Sequence, residues 1–369
     1  MINGTDVFVI GGGPAGLAAA IAARRRGFQV VIADGNKPPI DKPCGEGLMP
    51  DSISALRQLG VEIPTGEGYP LSGIKFLEKD KSAIANFPTG QGVGLRRPVL
   101  HKKMLDRAAA LGVQFLWETA VTGIQGGGVN LAGGKFVRAN WIIGADGGQS
   151  RVRRWAGLES ANKRGSRVAW RAHFAVAPWS EYVEIHWAEK AQAYVTPVSA
   201  DEVCVVMASR NENRDIRVAL NEFPELARRL SDERLSRPAR GTITTMHGLK
   251  HVSRGNVALI GDASGSVDAI TGEGLSLSFH QAVALAEAME KNCLDLYQKA
   301  HRQFARRPTF MARLLLLLDG RTGLRSRTLS VFGNNPEVFA RLVSIHVGET
   351  SPAHFAATGA LLGWRFLAA

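Results

Sequence analysis

The chain has 369 residues, 45% hydrophobic and 21% charged, a balance that excludes a disordered or collagen-like chain and provides for one large or two medium domains. Its formal net charge is +12, but the arginines are scattered and no aromatic–basic RNA motif accompanies them, which argues against nucleic acid and for a solvated cationic surface or attraction to anionic lipid or an acidic carrier. No apolar run nears the roughly 20 residues that span a bilayer, no secretory signal opens the chain, and Cys44, Cys204 and Cys293 have neither metal-ligand nor disulfide-framework spacing, so a cytoplasmic protein without a metal is expected.

Residues 6–10 (DVFVI) read as a buried parallel strand, and glycines follow at once. An alanine-rich helix over 14–26 stops at Gly27, and 29–33 (QVVIA) forms the next strand, so a βαβ unit opens the chain. A Gly- and Pro-rich loop leads to a short helix at 52–59, strands at 73–77 and 83–87, and an amphipathic helix at 98–111 with Leu100, Met104, Leu105 and Ala108 on one face. Strands at 113–117 and 140–144 follow. Between 167 and 210 the runs RVAWRAHFAV, YVEIHW, AYVTPV and EVCVVMAS succeed one another without helices, which predicts an antiparallel sheet distinct from the parallel one. Residues 256–260 return to the parallel type, 275–289 form a long helix, and about 75 further residues are helical and rich in Arg and Leu.

Three of these strands end in chemistry. Gly11-Gly12-Gly13-Pro14-Ala15-Gly16 leaves the first strand and opens the first helix, and Asp34 ends the second strand. Gly11 permits a tight turn, Gly13 lets backbone approach a pyrophosphate, and Gly16 lets helix and strand pack closely. Pro14 and Ala15 begin a helix whose unpaired N–H groups and positive end suit phosphates. Asp34 stands where a carboxylate accepts hydrogen bonds from adenosine ribose hydroxyls. The pattern serves NAD and FAD alike. Two later apolar strands also end in acids, at Asp146-Gly147 (IIGADGGQS) and at Gly261-Asp262 (VALIGDA).

In this order GGGPAG, GADGGQSRVRR and LIGDASG resemble the p-hydroxybenzoate hydroxylase-like aromatic hydroxylases and the geranylgeranyl reductases, one superfamily of FAD-dependent oxidoreductases, across residues 6–275. The resemblance implies noncovalent FAD, with NADPH or NADH as electron donor. It puts ribitol hydroxyls on Asp262, the pyrophosphate and a nicotinamide approach near Asp146-Gly147, a cofactor contact on Arg97 in RRPVLHKKML, and adenine against the backbone of Val121. The loop PCGEGL at 43–48 and TGEGL at 271–275 are similar to the reductase branch. There Gly272 and Gly274 would let backbone approach the isoalloxazine, and the helix from Leu275 would direct its positive end at the ring edge that is anionic when reduced. The reductase branch's aromatic YxWxFP motif is replaced by Ala193-Tyr194-Val195-Thr196-Pro197, and the WxWxIP motif of flavin halogenases is absent.

Three pocket candidates follow. Cys44 is either a reactive thiol near the ring or a small buried residue. Tyr194 either orients substrate through its hydroxyl or caps the sheet. Glu273 is structural or ring-proximal. His186 and Trp187 read as a half-buried sheet face. The arginine–leucine stretch 306–332 suits a helix packed over the substrate domain, or docking on a membrane surface as a peripheral contact.

The expected fold is α/β: a Rossmann-like FAD-binding domain, an inserted and mostly antiparallel substrate sheet, and a helical C-terminal segment. The FAD-binding domain takes 1–71, 96–158 and 243–293, the substrate domain 72–95 and 159–242, and the helical region 294–369. The expected activity is oxygen transfer to an apolar aromatic or polyketide-like molecule. The alternative is reduction of a carbon–carbon double bond in an isoprenoid or lipid; a remote one is a noncatalytic binder of prenylated partners.

Overall fold

The computed structural model describes residues 2–159, 163–209 and 215–348. Its first layer is a sheet with strands in the order Ser253–Arg254, Val257–Leu259, Phe136–Gly144, Gly4–Ile10, Val30–Ala33 and Gln114–Leu116. All neighbours pair in parallel except the short edge strand Ser253–Arg254. Strand Gly4–Ile10 is buried on both faces from Val7 onward, as parallel strands covered by helices must be. Helix Pro14–Arg24 covers one face through Leu17, Ile21 and a run of buried alanines, whose small side chains let helix Gly274–Glu290 pack closely against it.

The register fixes the site. Ile10 pairs with both Ala33 and Gly144, and Gly144 pairs with Leu259. Four strands therefore end level, and every glycine–acid motif leaves the sheet at one carboxyl edge, where open α/β sheets bind ligands.

The second sheet runs Gly265–Ser266, Leu235–Gly248, Lys163–Phe174, Glu202–Ser209, Ala191–Ser199, Tyr182–Trp187, Gly73–Glu78 and Lys81–Asn86. It is antiparallel except where Tyr182–Trp187 meets Gly73–Glu78. Strand Leu235–Gly248 pairs with Lys163–Phe174 across position 243, where the first domain was expected to resume. Unforeseen elements are the hairpin Val121–Gln125 with Gly128–Leu131, and the helices Ile216–Leu220 and Pro224–Leu230. Those helices cover the sheet's outer face through Ile216, Leu220, Leu226 and Leu230. Helices Leu294–Asp319, Thr322–Asn334 and Pro336–His346 pack on the inner face at the end carrying Phe76, Ile185 and Trp187.

Candidate functional site

At the carboxyl edge the glycines divide by role. A Cβ on Gly11, whose φ is +111°, would run into the Ala145 carbonyl, and one on Gly16 would strike the carbonyl oxygen of Gly11. These two close the fold. Around Gly13 nothing lies within 4 Å of a built Cβ. It opens helix Pro14–Arg24, whose first turn has no side-chain cap. Gly147 (φ +83°) and Gly272 (φ +68°) both need the left-handed region.

The acids are less alike than their motifs suggest. Asp34 accepts from the Gly12 N–H at 2.8 Å through Oδ2 and from the Asn36 N–H at 2.8 Å through Oδ1, so it first braces the glycine turn. Asp146 Oδ2 accepts from the N–H groups of Arg151 and Val152 at 2.7 and 3.1 Å, which holds helix Arg151–Trp155. Its Oδ1 is buried without a partner among the described residues. Asp262 is exposed at the end of its strand, with protein atoms crowded around its carboxylate. That crowding raises its carboxyl above the ordinary range, and the charges of Arg97 and Lys42 work against the rise. Gly261 donates its N–H to Gln281 Oε1 at 2.9 Å. Arg97 starts helix Arg97–Ala110, and its Nε is buried without a partner among the described residues. Val121 is buried at the start of its strand, and Leu275 is half-buried in the first turn of helix Gly274–Glu290.

Sequence reasoning missed the residues behind this edge. His101 is fully buried with Nε2 at 2.9 Å from the Gly12 carbonyl. Burial holds its pKa down, so it is neutral and donates that bond. Trp117 fills the space a Gly12 side chain would need. The loop carrying Cys44 is held from the other sheet. Arg171, almost wholly buried, forks onto Asp41 with two bonds of 2.8 Å and reaches Glu46 Oε1 at 3.2 Å. Glu46, at φ +58°, also takes His173 Nε2 at 2.7 Å and the Arg97 N–H at 3.0 Å. Glu46, His173 and Cys204 place ligand atoms within 4.8 Å of one another, but Glu46 is already engaged by guanidinium groups, which disfavours a cation there. Cys44 is half-buried, with its sulfur accepting from the Glu46 N–H at 3.4 Å.

Cross-strand pairing sets one row on the inner face: Arg171, Val206, Tyr194, Ile185 and Phe76. The next row is Thr242, Ala169, Ala208, Gln192 and Trp187. Val206 and the Tyr194 ring are only half-covered. The charges flanking them are paired, Arg171 with Asp41 and Glu46, and Arg167 with Asp268. Val206 and the Tyr194 ring thus lie between these paired charges, with the buried Thr196, Cys204 and His173 in the adjoining row of the same face. Tyr194 does not offer its hydroxyl outward: it lies 3.1 Å from Gln192 Oε1 and 3.2 Å from the Ile270 carbonyl, and burial pushes its pKa up. His186 turns to the outer face and pairs with Glu184, whereas Trp187 faces inward against Phe76. Glu273 is buried behind its loop on Arg307 and His346.

The open backbone at Gly13, the uncapped helix end, and the unpartnered Arg97 Nε and Asp146 Oδ1 fit a dinucleotide laid along this edge. The sequence profile of the FAD-binding domain matches residues 4–307. The chain belongs to the FAD-binding domain family. It is an FAD-dependent oxidoreductase, as the resemblance implied. The menaquinone reductase of Mycolicibacterium smegmatis is 28% identical over 88% of this chain and 89% of its own length. The digeranylgeranylglycerophospholipid reductase of Methanosarcina mazei is 28% identical over 73% of this chain and 71% of its own. The rifampicin monooxygenase of Rhodococcus hoagii is 30% identical over 41% of this chain and 33% of its own. A crystal structure of a flavoprotein/dehydrogenase from Cytophaga hutchinsonii has the same fold, with TM-score 0.84 at 20% identity, covering 99% of this chain and 100% of that one.

Proposed function

We propose that this oxidoreductase reduces a carbon–carbon double bond in a small lipophilic molecule of isoprenoid type, with NADPH or NADH as electron donor. FAD would supply the electron pair. Gly13, Pro14 and Ala15 would hold its pyrophosphate, with Gly11 and Gly16 shaping the turn behind them, Asp34 and Val121 its adenosine, and Arg97, Asp146, Gly147, Gly261 and Asp262 its ribitol side. Gly272, Gly274 and Leu275 would face the ring. Tyr194 carries the reading. Its hydroxyl is tied to Gln192 and the Ile270 carbonyl, so beside the half-covered Val206 it presents its ring and not its hydroxyl. A hydrocarbon suits such a surface, because a hydroxyl of its own buried there would lack a partner at a cost of about 1–3 kcal/mol. The half-buried Cys44 thiol stands on the loop that Glu46 and Arg171 tie to this sheet, and it would serve as proton donor. The two reductases match over about three quarters or more of this chain and support the same reading.

Oxygen transfer is the second reading. The run at 193–197 lacks the reductase branch's aromatic motif, and the rifampicin monooxygenase matches over part of the chain. One experiment separates them. The enzyme is reduced without oxygen and mixed with polyprenyl or phenolic candidates. Flavin reoxidation by a polyprenyl compound under nitrogen, with a saturated product, is the expected result. Reoxidation only on admitting oxygen, with oxygen-gas label in the product, supports hydroxylation instead.

Membrane contact belongs to the same proposal. The outward side of helix Leu294–Asp319 exposes Lys299, Arg302, Arg306, Arg313 and Leu317, and Arg321 follows it. Its one carboxylate beyond Asp295 is Asp319, which is buried on Gln192. Among the described residues no helix is long and apolar enough to cross a membrane. Such a face suits anionic lipid.

A further inference from the structure

Behind the loop Thr271–Gly274 lies a buried acid–base cluster that the reading above leaves unused. Gly272 and Gly274 have open space where a side chain would stand, so one side of the loop is bare backbone. The Glu273 side chain is directed elsewhere, into the protein, with 4% of the residue exposed. Glu273 Oε1 accepts from Arg307 at 3.3 Å. Glu273 Oε2 lies 3.4 Å from His346 Nδ1, yet both atoms are buried and neither makes a hydrogen bond of ordinary geometry. Arg307 also reaches Asp51, which accepts from Ser276 at 2.7 Å.

These groups come from four elements. Glu273 caps helix Gly274–Glu290, Asp51 begins helix Pro50–Gln58, Arg307 lies in Leu294–Asp319, and His346 ends Pro336–His346. His280, two turns along from the loop, senses the same Asp51 and Arg307 charges. Two carboxyls, Glu273 and Asp51, thus share one fixed cation, Arg307, and burial disfavours leaving both ionised with a neutral imidazole beside them. The cluster is neutral with one carboxylate, and stays so with two only if His346 is charged. Moving to either neutral state from one with both carboxyls ionised and the imidazole neutral takes one proton, and the Glu273–His346 contact has a place for it.

We propose that Glu273 and His346 form one shared proton site behind the cofactor loop, and that this site is filled when the flavin is reduced. Reduction adds negative charge on the bare-backbone side of the loop, which favours the protonated pair by simple electrostatics. Burial raises the Glu273 carboxyl, with the charge of Asp51 adding to the rise and His346 and Arg307 opposing it. Glu273 and His346 are positioning residues here: they act through the loop and do not touch the reacting atoms. The inference rests on the loop facing the flavin ring.

The test is the pH dependence of the flavin midpoint potential in the FAD-loaded enzyme. Wild type should take up one more proton on reduction than the flavin alone accounts for, over a window in which the potential falls more steeply with pH. Glu273→Gln and His346→Gln should each lose that extra proton, while Arg306→Gln, on the exposed side of its helix, should keep it. Retention of the extra proton in either of the first two variants overturns the proposal. Gly274→Val, measured alongside, separates this from failure of the loop assignment: its side chain meets nothing in the protein, so it should disturb flavin binding or the flavin spectrum if the loop faces the ring, and full flavin with an unchanged spectrum marks a misassigned loop. If Glu273→Gln sheds its flavin, His346→Gln decides alone, since it removes the partner without altering the loop.

Discussion

At the scale of single residues, glycines of one motif should fail in different ways. A Cβ on Gly13 meets nothing in the protein, so Gly13→Val should fold normally and lose its flavin to side-chain bulk in the pyrophosphate space. A Cβ on Gly16 meets the Gly11 carbonyl oxygen at once, so Gly16→Val should destabilise the fold itself. Thermal melting and the flavin-to-protein ratio check both: Gly13→Val should be colourless with a near-wild-type apoprotein melt, and Gly16→Val should melt early. Equal melting of the two would mean that Gly13 is structural. Arg171 is a second case. It is the fork between the substrate sheet and the Cys44 loop, and removing it leaves Asp41 and Glu46 without their main partner. Arg171→Met should cost about 3–5 kcal/mol, because the stranded buried charge outweighs the pair's own strength. Denaturant unfolding measures this, and a loss under about 1 kcal/mol would show that the loop relaxes to water.

Elements join through buried polar pairs more than their sequence periodicity reveals. Strand Tyr182–Trp187 and its parallel neighbour Gly73–Glu78 are linked by Glu184, which meets Lys75, His186 and Trp179 on the outer face. Burial pushes the Glu184 carboxyl upward, but the bonds from His186 and Trp179 and the charges of His186 and Lys75 prevail and hold it at about 2. A depressed acid stabilises the fold at pH above its unfolded value, near 4.5, and that contribution fades as pH falls toward 2. Wild type should therefore lose about 3 kcal/mol across that acid window that Glu184→Gln does not lose. Urea titrations at several acid pH values test it; parallel curves for the two proteins contradict the assignment. The strands themselves were legible, since alternation and β-branched runs dictate them. The pairings Glu184–His186 and Glu46–Arg171 were not, because nothing local marks residues that meet across separate strands. Helices Ile216–Leu220 and Pro224–Leu230 escaped for another reason: each is under two and a half turns, too short for a 3.6-residue period to stand out.

For the whole molecule, the motifs carried most of the architecture. The glycine–acid ends of strands Gly4–Ile10, Phe136–Gly144 and Val257–Leu259 meet at one edge because parallel register makes them level. The reach of strand Leu235–Gly248 into the second sheet was hidden, because half of its residues are exposed and its arginines and threonines break the alternation. The tail of expected helices was correct through His346, and the part of that expectation over 349–369 lies outside the described residues. Those helices also give the last prediction. On helix Leu294–Asp319 the inward side, with Tyr297, Met311, Leu315 and Leu318, is buried, while the outward side carries cations and Leu317. A solvated cationic face and a lipid-binding one look alike in composition and differ in response to salt and to lipid charge. Each Lys or Arg near an anionic bilayer contributes roughly 1 kcal/mol, within a screening length of about 8 Å at physiological salt. The protein should sediment with vesicles containing phosphatidylglycerol and not with pure phosphatidylcholine, and added salt should release it. Arg306→Glu with Arg313→Glu replaces two attractions by two repulsions and should weaken that binding by more than tenfold, roughly the effect of 2 kcal/mol or more. Both positions are exposed, so flavin content and melting temperature should stay as in wild type. Unchanged vesicle binding in the double variant would remove this helix as the contact and leave its arginines as an ordinary solvated surface.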